Sequence, residues 1–389
     1  MGLLAGFAGP ILSLAGLDTC GINLSGFSSS GKSTAQRLAA SAWSTPDLRK
    51  PALCQTARAT DNSIEALAAR SNGTVLVLDE VGRLHGKQLA PIIYAIAGGA
   101  GKRRMTAEAN LRNSHTWTMF VLLSGELSLA DHTERDGGEW SAGMAVRIAD
   151  VDVSAVNRSV NAETLDRITG VERHYGHAGP KLVEALVGTG TPNRAIELRN
   201  QVLRFARQLA GTDSESAKIR AAYPFAILAI AGKLARQCSI LPPGTDIGQA
   251  VDWAWQSFQS SNDSRALSPD DRSVEQLREF IARRWCVSIR PLSPENRIRE
   301  AEGWYDDNAV YLPTSVAAKA TGGTQKGQQL GSILKTKGLL YQFDLNRSTV
   351  QWTPGYGRIR SFAFKRSEFG RLEGPIKPIS QRVARFRPI

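Results

Sequence analysis

Cysteine is scarce in this chain. Four occur among 389 residues (Cys20, Cys54, Cys238, Cys286), with no Cys-x-x-Cys pair and no histidine cluster beside them. That spacing argues against a disulfide framework and a structural zinc site, and it fits a reducing, cytoplasmic compartment. Long apolar runs are lacking too. The most apolar stretch, residues 2–17, has no basic lead-in, is broken by Pro10 and is too short to span a bilayer. It reads as a buried helix under the domain that follows, and so abrupt an opening suggests a piece of a longer protein. A membrane partner is not expected. Acidic charge is in deficit: Lys+Arg 48 against Asp+Glu 36 leaves +12. This balance favours a polyanionic partner such as nucleic acid without proving one.

What is present is organised around Gly26-Phe-Ser-Ser-Ser-Gly31-Lys32-Ser33-Thr34. It fits G-x-x-x-x-G-K-[ST], the phosphate-binding loop of nucleoside triphosphatases. Gly26 and Gly31 let the backbone curl with no side chain between its N–H groups and the phosphates. Ser28, Ser29, Ser30 and Thr34 complete the cradle. Lys32 reaches the β- and γ-phosphates, and the Ser33 hydroxyl can ligate Mg²⁺. Residues 21–25 read as a strand entering the loop and residues 33–43 as a helix leaving it, with its N-terminus facing the anion. ATP and Mg²⁺ are the expected ligands.

The second nucleotide motif is Thr74-Val-Leu-Val-Leu-Asp79-Glu80, an apolar run ending in two carboxylates, with Asp79 47 residues after Lys32. An apolar run of this length is the pattern of a buried parallel strand, and the C-terminal ends of such strands are where α/β sheets bind ligands. Asp79 would hold the Mg²⁺ shell, while Glu80 would orient or deprotonate the attacking water. Residues 61–70 read as a helix before this strand and 81–97 as one after it; residues 50–60 read as irregular. A third apolar run, residues 117–126, ends in Ser124-Gly-Glu126. Ser124 is the candidate for the polar residue that touches the γ-phosphate or the lytic water, with Glu126 as second option. Residues 143–150 read as a further strand interrupted by Arg147. Gly98-Gly-Ala-Gly-Lys102-Arg103-Arg104 is either a solvated loop or a flexible finger presenting cations to a nucleic-acid backbone.

From 156 to about 285 the pattern is helical, with apolar residues at 3–4 spacing over 180–187, 194–210, 216–237 and 247–260. No catalytic cluster lies there, so packing is its expected role. Residues 292–308 read as a boundary. Beyond it come a strand (309–312), two short helices (313–320 and 325–338) and three strands (339–341, 349–353, 360–364). Short helices followed by a β-ribbon suggest a winged-helix-like α+β module. The tail from 355 carries Arg358, Arg360, Lys365 and Arg366 among nine Lys/Arg, interleaved with aromatics. It is either a solvated basic tail or a nucleic-acid contact. The expected organisation is therefore an α/β P-loop NTPase core with a parallel sheet flanked by helices over 1–155, an α-helical region over 156–290 and the winged-helix-like module over 291–389.

At Ser28-Ser-Ser-Gly-Lys-Ser, Asp79-Glu80-Val, Leu123-Ser-Gly-Glu126 and Val146-Arg147 the chain resembles the family called domain of unknown function 927, helicase-like ATPases of phages and integrative mobile elements. The order of motifs fits along most of the chain. The resemblance implies an AAA+ helicase core acting as a homo-hexamer on single-stranded or forked DNA, with a primase as partner or fused domain. Carried over by position, Lys32 and Ser33 serve phosphate and metal, Asp79 and Glu80 metal and water, and Ser124 is the sensor. Arg147 becomes an arginine finger supplied to the neighbouring subunit, and Lys102 to Arg104 sit on a DNA-facing hairpin. One departure stands out: Tyr223-Pro224 occupies the place where the family often has a second-sensor arginine, and Arg220 is a weak substitute.

Overall fold

The buried apolar runs pair as parallel strands in the computed structural model of the chain. It describes residues 1–47, 50, 53–57, 61–101, 115–138, 140–156, 162–188, 193–211, 216–261, 264, 267, 269–292, 301–321, 326–343, 348–352 and 359–369. Two compact units result, Met1–Ser268 and Pro269–Ile389.

In the first unit, α1 (Gly2–Ala5) and α2 (Ala8–Ala15) precede β1 (Cys20–Ser25), the loop and α3 (Lys32–Ser41). Then come β2 (Cys54–Thr56), α4 (Asp61–Arg70), β3 (Val75–Asp79), α5 (Gly86–Ala97) and β4 (Phe120–Gly125). They are followed by α6 (Leu129–Arg135), α7 (Ala142–Ala145) and β5 (Ile148–Asp152). The sheet order is β2-β3-β4-β1-β5 with every pairing parallel. Each strand needs helical crossovers to return in the same direction, and these put helices on the sheet faces. β4 is inserted between β1 and β3, with Leu24 opposite Ser124 and Leu78 opposite Leu123.

The remaining helices are α8 (Ala162–Thr169), α9 (Ala178–Gly188), α10 (Arg194–Ala210), α11 (Ser216–Ala221), α12 (Tyr223–Gln237) and α13 (Ile247–Ser260). They share one core with the sheet: Phe225, Ile227, Val251 and Phe258 join the same buried cluster as Ile22, Leu76 and Phe120. The opening stretch is part of that core. Leu4, Phe7, Ile11 and Leu12 are buried, with α1 against α3 and both N-terminal helices against α12. The approach is backbone to backbone. A Cβ at Gly2 would lie 2.5 Å from Ala35 O, one at Gly6 2.6 Å from Ala39 O, and one at Gly9 2.0 Å from Thr74 O.

Several expectations are corrected. The single helix over 81–97 is a 3₁₀ turn (Val81–Arg83) and then α5. His85 sits between them in extended conformation and caps α5, its Nδ1 accepting from Lys87 N. The helix over 216–237 breaks at Ala222, because Pro224 fits only the first turn of α12. Residues 143–145 are helical rather than extended, since Met144 N and Ala145 N both bond to Ser141 O; only from Ile148 does the chain run as a strand. Residues 54–56, expected to be irregular, form the edge strand β2.

The second unit begins earlier than the expected boundary. Helix Pro269–Arg284 carries Val274, Leu277 and Ile281 into a separate core with Ile289, Val310, Leu312, Leu334, Phe362 and Phe364. β6 (Ile289–Pro291) and β7 (Gly303–Tyr305) fall within or beside the stretch expected as boundary. β8 (Ala309–Pro313), helices Thr314–Ala320 and Lys326–Thr336, β9 (Leu340–Gln342), β10 (Val350–Trp352) and β11 (Ile359–Lys365) follow close to their expected places. The strand order is β10-β11-β8-β7-β6, with β9 also on β11. Among the described residues, no helix is long and apolar enough to cross a membrane.

Gly9→Ala forces a methyl group into the Thr74 carbonyl and should lower unfolding stability by roughly 1–3 kcal/mol. Gly188→Ala, where a Cβ meets nothing within 4 Å, should be neutral or slightly stabilising. Urea unfolding of both variants checks this; equal midpoints would mean that the α2 contact yields.

Candidate nucleotide site

The site forms where the carboxyl ends of β1, β3 and β4 lie side by side. β1 delivers the chain into the loop through Gly26, whose φ is 143°; a Cβ there would lie 2.8 Å from Ser154 Oγ. Gly31 turns the loop into α3 with φ 83°, and Ser29 also has positive φ, 65°. Alternation of this kind aims successive backbone N–H groups inward, and the N-terminus of α3 adds its dipole, which together make an anion cradle. Lys32 Nζ folds back onto the loop, donating to Gly26 O (2.7 Å), Phe27 O (2.8 Å) and Ser30 Oγ (3.1 Å). These are neutral acceptors that an incoming phosphate oxygen would replace with a charge-assisted bond. Donor set and cradle therefore fit a polyphosphate.

Opposite the loop, Asp79 ends β3 and is buried. Its Oδ1 accepts from Ser124 Oγ at 2.5 Å and from Glu80 N at 3.0 Å. Ser124, also buried, is the penultimate residue of β4, and its Oγ lies 3.3 Å from Glu80 N. Glu80 takes a left-handed conformation (φ 58°, ψ 51°). A non-glycine residue held there carries a strain of about 1–3 kcal/mol. Its carboxylate is ion-paired with Arg83. A cavity of about 600 Å³ is lined by the loop from Ser28 to Thr34, by Asp79, Glu80, Ser124 and Glu126, and by Arg83, His132 and Arg135. Ser33 and Asp79 thus face the same space, where oxygen ligands from both could share one divalent cation.

Three contributions to this site escape motif reading. Gln36 is fully buried on α3, its Nε2 donating to Leu78 O (3.1 Å) and Leu122 O (3.3 Å). It ties the loop helix to the strands carrying Asp79 and Ser124. Only its place one turn after Lys32, on the face toward the sheet, could have marked it. Arg83 and Arg135 lie in a turn and at a helix end, and no spacing rule singles them out.

The other candidates fall elsewhere. Arg147 precedes β5 and does not line the cavity of its own chain; it donates to Gly143 O at 2.5 Å and sits 4.9 Å over the Tyr94 ring. Arg220 does not line the cavity either. Lys102, Arg103, Arg104 and Arg358 lie outside the described residues. In the second unit, Arg360 is exposed and Lys365 half-buried on β11. Arg366 is engaged internally, donating to Asp306 O at 2.8 Å and lying over the rings of Tyr305 (5.1 Å) and Trp285 (5.7 Å).

A five-stranded parallel sheet flanked by helices, with a glycine-lined anion loop at its carboxyl edge, defines the class. The model of the family described as "Domain of unknown function (DUF927)" matches residues 1–116 of the chain. A solved structure, "SCCmec type IV Cch - active helicase", superposes with a TM-score of 0.68 at 20% identity. The likeness covers 94% of this chain and 66% of that one, so the chain spans about two thirds of its neighbour's length. At that identity it is the fold that is shared. No curated protein matches the chain.

Behind the loop, fully buried Asp150 on β5 joins the strands to the β4–α6 turn. It accepts from Asn23 Nδ2 (3.1 Å) and Leu129 N (2.5 Å). Burial raises its carboxyl from 3.8 to about 6, outweighing the bonds from Ser25, Leu129 and Asn23. The native state therefore holds a proton that the unfolded chain has already released between about pH 4 and 6. This contribution is full below pH 4 and is lost as pH rises through 6, by roughly 1–3 kcal/mol in all. Urea midpoints from pH 4 to 8 should differ in slope between wild type and Asp150→Asn over that window; parallel curves would contradict the assignment.

Proposed function

We propose that the chain is the ATPase core of an AAA+ DNA helicase or translocase from a mobile-element replication system, using ATP hydrolysis to move on DNA. The observation that carries the reading is the meeting of Lys32, Ser33, Asp79, Glu80 and Ser124 around one cavity. The helicase fold neighbour supports the coarser statement of a helicase-like nucleotide-dependent enzyme.

In this reading the loop N–H groups and Lys32 hold the β- and γ-phosphates. Ser33 and Asp79 hold Mg²⁺, which when bound offsets phosphate charge. Glu80 leaves Arg83, orients a water and takes its proton. The water oxygen bonds to the γ-phosphorus as the bond to the β–γ bridging oxygen breaks, and the electron pair departs on the diphosphate. Ser124, hydrogen-bonded to Asp79, senses whether the γ-phosphate is present. Arg147, outside its own cavity, is free in position to reach a neighbour's site in a homo-hexamer. Lys102 to Arg104, Arg358, Arg360, Lys365 and the exposed side of a winged-helix-like second unit are the candidate DNA contacts; the internal bonds of Arg366 give it a packing role first. A primase partner and a cytoplasmic setting belong to the same proposal.

A second reading keeps the site and drops the motor: an ATP-dependent DNA-binding switch or loader that does not unwind. The Glu80–Arg83 pair favours it, since a base held by a neighbouring cation slows hydrolysis until something displaces it.

Steady-state ATPase rates with and without single-stranded DNA separate the readings. The motor requires several-fold stimulation and strand displacement; the switch requires ATP-dependent DNA binding without displacement. Lys32→Ala should abolish hydrolysis, and a variant that retains it would remove the loop from the site. Mixing Arg147→Ala with Glu80→Gln subunits should restore partial activity, and no restoration would take the trans role from Arg147.

A further inference from the structure

Two cations besides Lys32 face the cavity. Arg83 is engaged with Glu80. Arg135 is engaged differently. It is the last residue of α6, the helix that follows Ser124, and 56% of its side chain is exposed. Two acceptors behind it fix its plane: Nη2 donates to His132 Nδ1 at 2.9 Å and Nε to Asp136 Oδ1 at 3.2 Å.

Both acceptors are themselves held. His132 is buried, and its Nε2 lies 2.7 Å from Leu84 O. A carbonyl only accepts, so Nε2 carries the proton and Nδ1 turns its lone pair to Arg135. The other carboxylate oxygen of Asp136 accepts from Gly86 N at 2.6 Å. Leu84 ends the turn that begins at Glu80, and Gly86 starts α5 just beyond it. The guanidinium is thus positioned against the Glu80 turn of its own chain, with Nη1 uncommitted among the described residues. A planar, rigidly oriented fork of this kind suits phosphate oxygens better than a mobile lysine does.

Charge points the same way. The cavity wall sets Asp79, Glu80 and Glu126 against Lys32, Arg83 and Arg135. A triphosphate with one divalent cation still carries excess negative charge after Lys32 is counted, and Arg83 is occupied. We propose that Arg135 contacts the γ-phosphate of the nucleotide bound by its own chain, as a second cation that stabilises charge on the transferring phosphoryl group. It neither gives nor takes a proton. This inference rests on the triphosphatase reading above, and it makes the site less dependent on a neighbour's arginine.

The test compares wild type, Arg135→Ala, Arg135→Lys and Lys32→Ala in the full chain. Steady-state hydrolysis gives kcat and KM, and displacement of a fluorescent ADP gives the affinity for ADP alone and for ADP with aluminium fluoride, a mimic of the transferring phosphoryl group. Arg135→Ala should lower kcat about 100-fold or more with KM nearly unchanged. It should bind ADP as wild type does but lose the tightening by aluminium fluoride, and Arg135→Lys should recover part of both. If Arg135→Ala melts early, Arg135→Gln, which can still donate toward His132 or Asp136, carries the comparison. Wild-type kcat in Arg135→Ala, or equal weakening toward ADP with and without fluoride in a folded variant, overturns the inference alone. A wild-type chain that binds no ADP and hydrolyses no ATP overturns the triphosphatase reading and this one together.

Discussion

The Ser124–Asp79 hydrogen bond depends on one topological fact, the insertion of β4 between β1 and β3. Without that strand, the loop and the Asp79-Glu80 pair would sit on adjacent strands with no hydroxyl between them. With it, a buried carboxylate finds a donor from one side and Glu80 N from the other. A charged group out of water needs such partners, because burial without them is among the costliest events in folding. Gln36 serves the same end from below, satisfying two strand carbonyls that the parallel pairing leaves near α3. Function and stability share these bonds: the groups proposed to bind metal and sense phosphate also close the carboxyl edge of the sheet.

Much of this was legible in the sequence because it is local. The loop has a fixed spacing, since only glycines at 26 and 31 let the backbone curl around an anion, and the strands at 75–79 and 120–125 are plain apolar runs ending in polar residues. What escaped is what folding brings together from afar. Gln36, a polar residue on an otherwise ordinary helix, gains meaning only when Leu78 and Leu122 arrive beneath it. His132 and Asp136, which hold Arg135, lie in a segment with no signature, and their partners Leu84 and Gly86 are some fifty residues earlier. The misread elements have local causes of another kind. Pro224 breaks a helix whose apolar pattern runs on, and Ser141 starts a helical turn inside a run apolar enough for a strand. Pro, Gly and Asp content points to a boundary near 292, yet helix Pro269–Arg284 belongs to the later core because Leu277 and Ile281 are buried there.

Arg83 and Arg135 at the cavity and Arg147 outside it differ in their attachments, and that separates their proposed roles. Arg83 is tied to Glu80, Arg135 to the frame behind the Glu80 turn, and Arg147 to a neighbouring tyrosine ring and a helix carbonyl away from its own cavity. The proposals follow these attachments: regulation for the first, action within the chain for the second, and action across a subunit interface for the third. The aromatic seat of Arg366 shows the same economy in the second unit, where a guanidinium from a basic stretch packs over two stacked rings.

The close backbone contacts of α1 with α3 have a mechanical consequence. Where Gly2 and Gly6 meet the carbonyls of Ala35 and Ala39, only alanine methyl groups accompany the backbone contact, which leaves little to compress and makes the helix bearing Lys32 and Ser33 the firmer jaw. The opposing edge, from Glu80 through Arg83 to the α6 end, is held by a strained residue, a surface ion pair and a few hydrogen bonds. In the proposed motor, the stroke begins on that second jaw, and the anvil against which it closes is built from residues 2–15.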